Sequence, residues 1–201
     1  ALARVIDVGP GVRWFFPEAP LSVDVGGGYA GRAWWPINMI ELQTSVMRGD
    51  LRALQDRAPA GLEAARDALA ACVEALVRDE GVKPEALLVG GFSQGAMLST
   101  DWVLGARPGV AGLCALSGTV INAARWRADL EGGAGQGLHV WQSHGSADPI
   151  LPFALAEVLR EMLSRGGAHV DFTPFRGGHE IPPPALDAFG TFARRRLASA
   201  G

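Results

Sequence analysis

The stretch that decides the fold of this 201-residue chain is Leu87-Leu88-Val89-Gly90-Gly91-Phe92-Ser93-Gln94-Gly95. Its apolar start, Leu87 to Val89, is typical of a parallel strand covered on both faces. A helical pattern follows from Ala96 to Leu104, so the chain must turn sharply between the two. The turn reads G-x-S-x-G, a pattern that strains the serine backbone and exposes its hydroxyl. The stretch therefore predicts a nucleophile, Ser93, at the end of a strand.

Strands and helices alternate on both sides of this turn. Upstream, apolar residues recur every three or four positions from Gly61 to Glu80, which predicts a helix with one buried stripe. The downstream patterns predict strands at Gly112 to Leu116, Leu138 to Trp141 and Val170 to Phe175, and helices at Phe153 to Arg165 and Ala185 to Ala198. This succession favours an α/β fold, a mostly parallel central sheet with helices on both faces.

The first sixty residues carry weaker patterns. Val12 to Phe16 is an apolar run that stops at Pro17, which predicts a buried strand. A glycine-rich stretch then leads to an aromatic group of Tyr29, Trp34 and Trp35. From there to Pro59 the sequence predicts no definite element.

Composition narrows the class of protein. The length suits one domain over residues 1–201, and the net charge of -3 disfavours nucleic acid as a partner. No apolar run is long enough for stable membrane insertion, and we expect a cytoplasmic protein. Cys72 and Cys114 fall in apolar patterns that predict two buried free thiols. The positive mean hydropathy suits an apolar substrate groove or a homodimer contact.

A serine hydroxyl is a poor nucleophile and needs a base, which in turn needs a carboxylate to orient it. The carboxyl ends of parallel strands meet at one edge of a sheet, so partners of Ser93 should follow other strands. Asp148 follows the strand that ends at Trp141 and is our candidate carboxylate, although an Asp before Pro is also common in turns. The rival acids lie in helices, a polar stretch or a strand: Asp101, Asp187, Asp129 and Asp171.

His179 follows the strand that ends at Phe175 and is the candidate base. His139 and His169 fall in or beside strands, where a structural role is expected, and His144 is the rival. The order serine, aspartate, histidine is the one that the α/β-hydrolase fold imposes. No histidines and carboxylates have metal-ligand spacing on one element, so we expect neither a metal nor a cofactor.

Two further sets of residues complete the predicted site. The backbone N–H of Gln94, the residue after the nucleophile, should donate to the oxyanion of the tetrahedral intermediate. The acyl pocket is predicted to involve Trp34, Trp35, Ile150 and Leu151, with core packing as the alternative for each of them.

Motifs along nearly the whole chain resemble the phospholipase/carboxylesterase family that includes the acyl-protein thioesterases. The matching pieces are Phe16-Pro17-Glu18-Ala19-Pro20, Trp34-Trp35-Pro36-Ile37, Gly90-Gly91-Phe92-Ser93-Gln94-Gly95-Ala96, Leu116-Ser117-Gly118, His144-Gly145 with Asp148-Pro149, and Gly178-His179-Glu180-Ile181. The resemblance implies a compact hydrolase of carboxylic esters or thioesters that uses Ser93, Asp148 and His179. It also implies that Ser117 and His144 are structural.

The chain departs from this family at its front. Family members carry a strand ending in His-Gly and a short loop that supplies the second oxyanion donor, and no such block lies between Ala1 and Val12. We expect that a preceding segment supplies it; the alternative is that the protein has lost it and builds the oxyanion site otherwise.

The sequence thus predicts a serine carboxylesterase of broad, short-acyl specificity that acts on a small-molecule ester. An acyl-protein or other thioesterase is a close variant. The alternative from another class is a non-catalytic binding protein that keeps the fold and the serine turn.

Overall fold

The computed structural model describes residues 6–24 and 30–198. Ahead of the main sheet lie an antiparallel hairpin and three helices: β1 (Leu21–Asp24), β2 (Ala30–Ala33), α1 (Met39–Met47), α2 (Leu51–Asp56) and α3 (Leu62–Glu80). The rest of the chain alternates strand and helix after a short 3-10 turn at Pro84–Ala86: β3 (Leu88–Phe92), α4 (Gln94–Ala106), β4 (Gly112–Leu116), α5 (Ala123–Glu131), β5 (His139–Gly145), α6 (Phe153–Arg165), β6 (His169–Phe175) and α7 (Pro183–Ala198).

The main sheet has the order β3-β4-β5-β6, and each neighbouring pair is parallel. Phe92 lies opposite Leu116, which lies opposite Ser143, so the carboxyl ends of these strands reach the same edge. β5 and β6 continue together to the pair Gly145 and Phe175. The loops that follow β3, β5 and β6 therefore leave the sheet side by side.

Successive side chains of each strand point to opposite faces of the sheet, so they pack into two separate cores. On β4, Leu113 and Ala115 face a core shared with α3, α4, α5 and α6, whereas Cys114 and Leu116 face a second core. Helix α7 and the segment around Val8 cover that second face. The predicted α/β architecture, a parallel sheet with helices on both faces, is confirmed.

A buried carboxylate joins three helices of the larger core. Asp101 on α4 is fully buried and accepts hydrogen bonds from Arg66 Nε of α3 at 2.7 Å and from Trp126 Nε1 of α5 at 2.8 Å. Burying an ionised group is costly unless partners of this kind surround it. Asp101, one of the rival acids, therefore has a structural role.

The predicted strand at Val12 to Phe16 is wrong, because this segment has no regular secondary structure. Val12 and Trp14 instead pack against the second core, where the Trp14 ring lies 6.1 Å from the ring of Phe189 on α7. Val12 and Trp14 are thus covered by packing against a helix, and the segment needs no neighbouring strand. Phe15 and Phe16 are exposed.

One other expectation needs correction. Of the two cysteines, Cys72 is exposed on α3 and only Cys114 is buried, because the buried residues of α3 are Leu62, Ala65 and Leu69. The strand β3 lies at an edge of the described sheet, and its side chains pack on both faces, Leu88 against the second core and Val89 against the larger one. The residues left unassigned before Pro59 form α1 and α2, while Tyr29 lies outside the described residues.

The remaining elements agree with their predicted positions, and the unpredicted helix α5 lies between β4 and β5. No helix in ranges 6–24 and 30–198 combines the length and the hydropathy that a bilayer crossing requires.

Candidate active site

Ser93 occupies a strained turn between β3 and α4. Its backbone has φ 55° and ψ -116°, a sparsely populated conformation that costs about 1–3 kcal/mol and is common at functional sites. The turn is held at both ends: Ser93 N–H donates to the Leu116 carbonyl of β4 at 2.8 Å, and the Ser93 carbonyl accepts from the first turn of α4. The sheet and the helix together therefore fix the position of this serine.

Glycine is required at Gly91 because the chain folds back on itself there. A Cβ atom built on Gly91 would lie 2.5 Å from the carbonyl carbon of Gly95, closer than real side chains approach. The first and last glycines of the G-x-S-x-G pattern thus pack backbone against backbone. This contact explains why the first and last positions of the G-x-S-x-G pattern are glycines.

The loops after β5 and β6 are joined by their backbones. Ser146 N–H donates to the Phe175 carbonyl at 2.8 Å, and Ala147 N–H donates to the Gly177 carbonyl at 2.9 Å. A Cβ on Gly145 would lie 2.1 Å from the Gly178 carbonyl oxygen, so only glycine permits this approach. The contact brings the loop of Asp148 against the loop that carries His179.

The Asp148 carboxylate is fully buried and orients the imidazole of His179. Its Oδ1 accepts backbone N–H groups of Ile150 and Leu151, both at 2.9 Å. Its Oδ2 lies 2.7 Å from His179 Nδ1. Because a carboxylate only accepts, Nδ1 carries the hydrogen, and Nε2 is left with a lone pair that can take a proton.

The ring of His179 lies against Phe92, the residue that precedes Ser93. The two ring centroids are 4.7 Å apart, and the His179 side chain is 12% exposed, so the ring is partly open to solvent. No hydrogen bond joins Ser93 to His179 among the described contacts. Bonds of this type often tighten only when substrate is bound.

His144, the rival base, is fully buried. Its Nε2 lies 2.8 Å from the Leu151 carbonyl oxygen and 3.3 Å from Asp148 Oδ2. A carbonyl only accepts, so Nε2 carries the hydrogen and has no lone pair to offer. Its Nδ1 is buried without a hydrogen-bond partner among the described residues. This geometry favours His179 over His144 as the base.

Gln94 connects the turn that carries Ser93 to Trp34 and Trp35, which follow β2. Its buried side chain accepts from Trp34 N–H and donates to the Trp35 carbonyl, both at 2.9 Å. As the first residue of α4, Gln94 also has a backbone N–H that finds no partner within the helix. The N–H predicted for the oxyanion is therefore at a helix N-terminus, where a negative charge is favoured.

The four predicted pocket residues divide into two groups. Trp35 and Leu151 are 4% and 5% exposed and belong to the core. Trp34 and Ile150 are half-buried, and Trp34 Nε1 lies 4.0 Å from the Cβ position of Gly95. Trp34 also forms one wall of an apolar groove of about 380 Å³ that is lined by Pro20, Leu21, Trp35, Pro36, Ala60, Gly61, Ala64 and Ala65.

Sequence reasoning missed two contacts of this site. The second histidine on the Asp148 carboxylate depends on a loop conformation that no local pattern encodes. The side chain of Gln94 carried a weak signal, since a long polar residue at the buried start of a helix needs partners. Across the part of the chain that the structure describes, no three His, Cys, Asp or Glu side chains are grouped to hold a metal ion.

Comparison with known proteins places this architecture in a family. A model of the phospholipase/carboxylesterase family matches residues 10–196. Acyl-protein thioesterase 1 of Neurospora crassa is 26% identical over 190 residues, which cover 92% of this chain and 74% of that protein. Acyl-protein thioesterase 1 of Saccharomyces cerevisiae is 25% identical and covers 93% of this chain and 79% of its own.

Solved structures of other proteins are also similar to this chain. The esterase PE8 has a TM-score of 0.70 at 26% identity, and the match covers 90% of this chain and 77% of PE8. Arabidopsis thaliana SOBER1 shares the fold, with a TM-score of 0.71 at 23% identity over 92% of this chain and 83% of SOBER1. This chain belongs to the phospholipase/carboxylesterase family of α/β-hydrolases, whose members are serine hydrolases that act on ester bonds.

Proposed function

We propose that this protein hydrolyses carboxylic esters through an acyl-enzyme formed on Ser93, with His179 as the base and Asp148 as the orienting carboxylate. The observation that supports the proposal most directly is the 2.7 Å contact between His179 Nδ1 and Asp148 Oδ2 at the sheet edge where Ser93 lies. Because the hydrogen is on Nδ1, the basic Nε2 has a lone pair with which to accept the proton of Ser93.

In the proposed mechanism, Ser93 Oγ attacks the ester carbonyl while His179 Nε2 takes its proton. The resulting imidazolium is stabilised by the buried Asp148 carboxylate and then gives the proton to the leaving alcohol. Water repeats the sequence and releases the acid. The N–H of Gln94 donates to the oxyanion, and loss of one such donor typically costs about 3 kcal/mol of barrier.

The substrate that we propose is a small ester with a short, apolar acyl group. Trp34 lines the apolar groove and approaches Gly95 at the start of α4, and Ile150 is half-buried on the loop of Asp148, so both are the residues that we propose to contact the acyl chain. The lining of the groove beside Trp34 is almost entirely apolar, which supports an apolar acyl group.

A thioesterase is the second candidate. Its support is that several relatives at 25–27% identity are acyl-protein thioesterases. The same serine chemistry would cleave a thioester, so the two candidates differ in the leaving group and not in the residues that carry the reaction.

Fluorophosphonate labelling tests whether Ser93 is activated. We expect the wild type to be labelled, Ser93→Ala to lose the label, and Ser146→Ala, an exposed serine on the loop after β5, to keep it. An unlabelled wild type that is folded would favour the non-catalytic binding protein.

Hydrolysis of p-nitrophenyl esters from acetate to palmitate, beside matched thioesters, then ranks acyl length and leaving group. We expect acetate to butyrate esters to give the highest kcat/KM. A preference for palmitoyl thioesters would replace the esterase proposal by the thioesterase. His179→Ala should lose far more rate than His144→Ala, and equal losses would mean that the base is wrongly assigned.

A further inference from the structure

Two histidines share one carboxylate oxygen in this structure. Asp148 Oδ2 lies 2.7 Å from His179 Nδ1 and 3.3 Å from His144 Nε2. The mechanism above uses only His179. The buried His144 is therefore a nucleophilic side chain next to the proposed machinery without an assigned role.

His144 connects the carboxylate to the loop that holds it. Asp148 Oδ1 binds the N–H of Leu151, and the carbonyl of Leu151 in turn accepts the N–H of His144. The Nε2 atom of His144 also lies 3.3 Å from Asp148 Oδ2, which brings the dipole of this N–H close to the carboxylate without a second hydrogen bond. One imidazole thus binds the loop that holds the carboxylate and lies beside the carboxylate oxygen that faces His179.

The environment of His144 disfavours its protonation. Burial lowers its pKa, and the nearby His179 acts in the same direction, while Asp148 and the Leu151 carbonyl oppose them. Protonation would also place a hydrogen on Nδ1, which has no acceptor among the described residues. A neutral ring donates one hydrogen bond and adds no positive charge that would compete with a protonated His179.

We propose that His144 is a positioning residue that acts through Asp148, setting the orientation and the hydrogen-bond strength of the carboxylate that holds His179. This inference rests on the proposed function, since it assumes that His179 and Asp148 serve Ser93. It assigns to His144 an effect on rate and on pH dependence that a purely structural residue would not have.

The test compares two replacements of similar size and shape. His144→Gln keeps an N–H donor close to the place of Nε2, whereas His144→Met removes it. We expect His144→Met to lower kcat about tenfold with little change in KM, because the carboxylate is held less firmly in one orientation while the substrate contacts remain. We expect His144→Gln to recover most of this loss.

The pH profile gives the second readout. Without the donor of His144, the Asp148 carboxylate attracts a protonated His179 more strongly, so the acid limb of kcat/KM should move to higher pH in His144→Met and stay near its wild-type position in His144→Gln. The other nearby carboxylate, Glu180, accepts from Gly178 N–H and is unchanged in both variants. His169→Met, at the opposite end of the sheet, is the control and should match the wild type.

Wild-type labelling by fluorophosphonate separates a failure of this inference from a failure of the proposed function. If the wild type is labelled but folded His144→Met keeps the wild-type kcat and acid limb, His144 is not a positioning residue. Equal defects in the Gln and Met variants would also overturn the inference, because the donor would then not matter.

If His144→Met does not fold, nitrogen NMR of the wild type labelled at histidine decides. We expect a neutral His144 with hydrogen on Nε2 at pH 7 in the NMR titration, because burial lowers its pKa below the ordinary histidine value of about 6.5. Hydrogen on Nδ1, or a charged His144 at pH 7, would contradict the proposal.

Discussion

Replacement of Asp148 by asparagine should abolish most activity while preserving the shape of the site. In the wild type, Oδ1 accepts two backbone N–H groups and Oδ2 accepts from His179. An amide must keep its oxygen towards the N–H groups of Ile150 and Leu151, because an NH₂ group there would face two donors. Its NH₂ group is then turned towards His179 Nδ1.

The magnitude follows from this reversal of donor and acceptor. His179 must accept at Nδ1, so its hydrogen moves to Nε2 and the ring cannot take a proton from Ser93. The loss of a charge-assisted hydrogen bond to the imidazolium costs about 1.5–3 kcal/mol. With the wrong tautomer added, we expect kcat to fall about 10³- to 10⁴-fold, or about 4–5.5 kcal/mol.

The assay is steady-state hydrolysis of p-nitrophenyl acetate or butyrate, with thermal unfolding as the check on the fold. Asp171→Asn, an exposed carboxylate on β6, is the matched control and should stay within about twofold of the wild type. A folded Asp148→Asn enzyme that retains kcat/KM within about threefold of the wild type would refute the reasoning, because the carboxylate could then not be the group that orients the base.

Three further predictions concern the fold around the site. Gly91→Ala should destabilise the protein by about 1–3 kcal/mol in urea unfolding and reduce fluorophosphonate labelling, because its Cβ would meet the backbone of Gly95. A Gly91→Ala variant as stable as the wild type would argue against the tight turn. Arg66→Met should cost about 3 kcal/mol of unfolding free energy, since it leaves the buried Asp101 with fewer partners, and Arg78→Met on the exposed end of α3 is its control. Burial lowers the pKa of His144, so the unfolded chain takes up a proton first as the pH falls. The unfolding free energy should therefore decline below about pH 6.5, by at most about 1.4 kcal/mol per pH unit. Urea titrations should show a smaller decline in His144→Gln.

Local sequence patterns predicted the elements that surround the site. The apolar run before Ser93 and the helical pattern after it identified β3 and α4, and the same logic placed Asp148 after β5 and His179 after β6. These predictions succeeded because strand and helix periods are encoded by neighbouring residues, and because parallel strands send their carboxyl ends to one edge.

The same patterns could not decide what a residue packs against. The apolar run at Val12 to Phe16 is compatible with a strand, but the partner that it found is the ring of Phe189 on α7, far away in the chain. Trp35 and Leu151 are as apolar as any pocket residue, yet the structure places both in the core. Cys72 is exposed although its neighbour on α3, Val73, packs against the core.

The sequence by itself determined that a serine, an aspartate and a histidine follow three strands in the order of this fold. Only the tertiary structure decided how the aspartate is held: the carboxylate of Asp148 lies against two imidazoles and two backbone N–H groups. The physical reason is that strand and helix formation depends on local periodicity, whereas these contacts depend on the close packing of two loops whose backbones meet at Gly145 and Gly178.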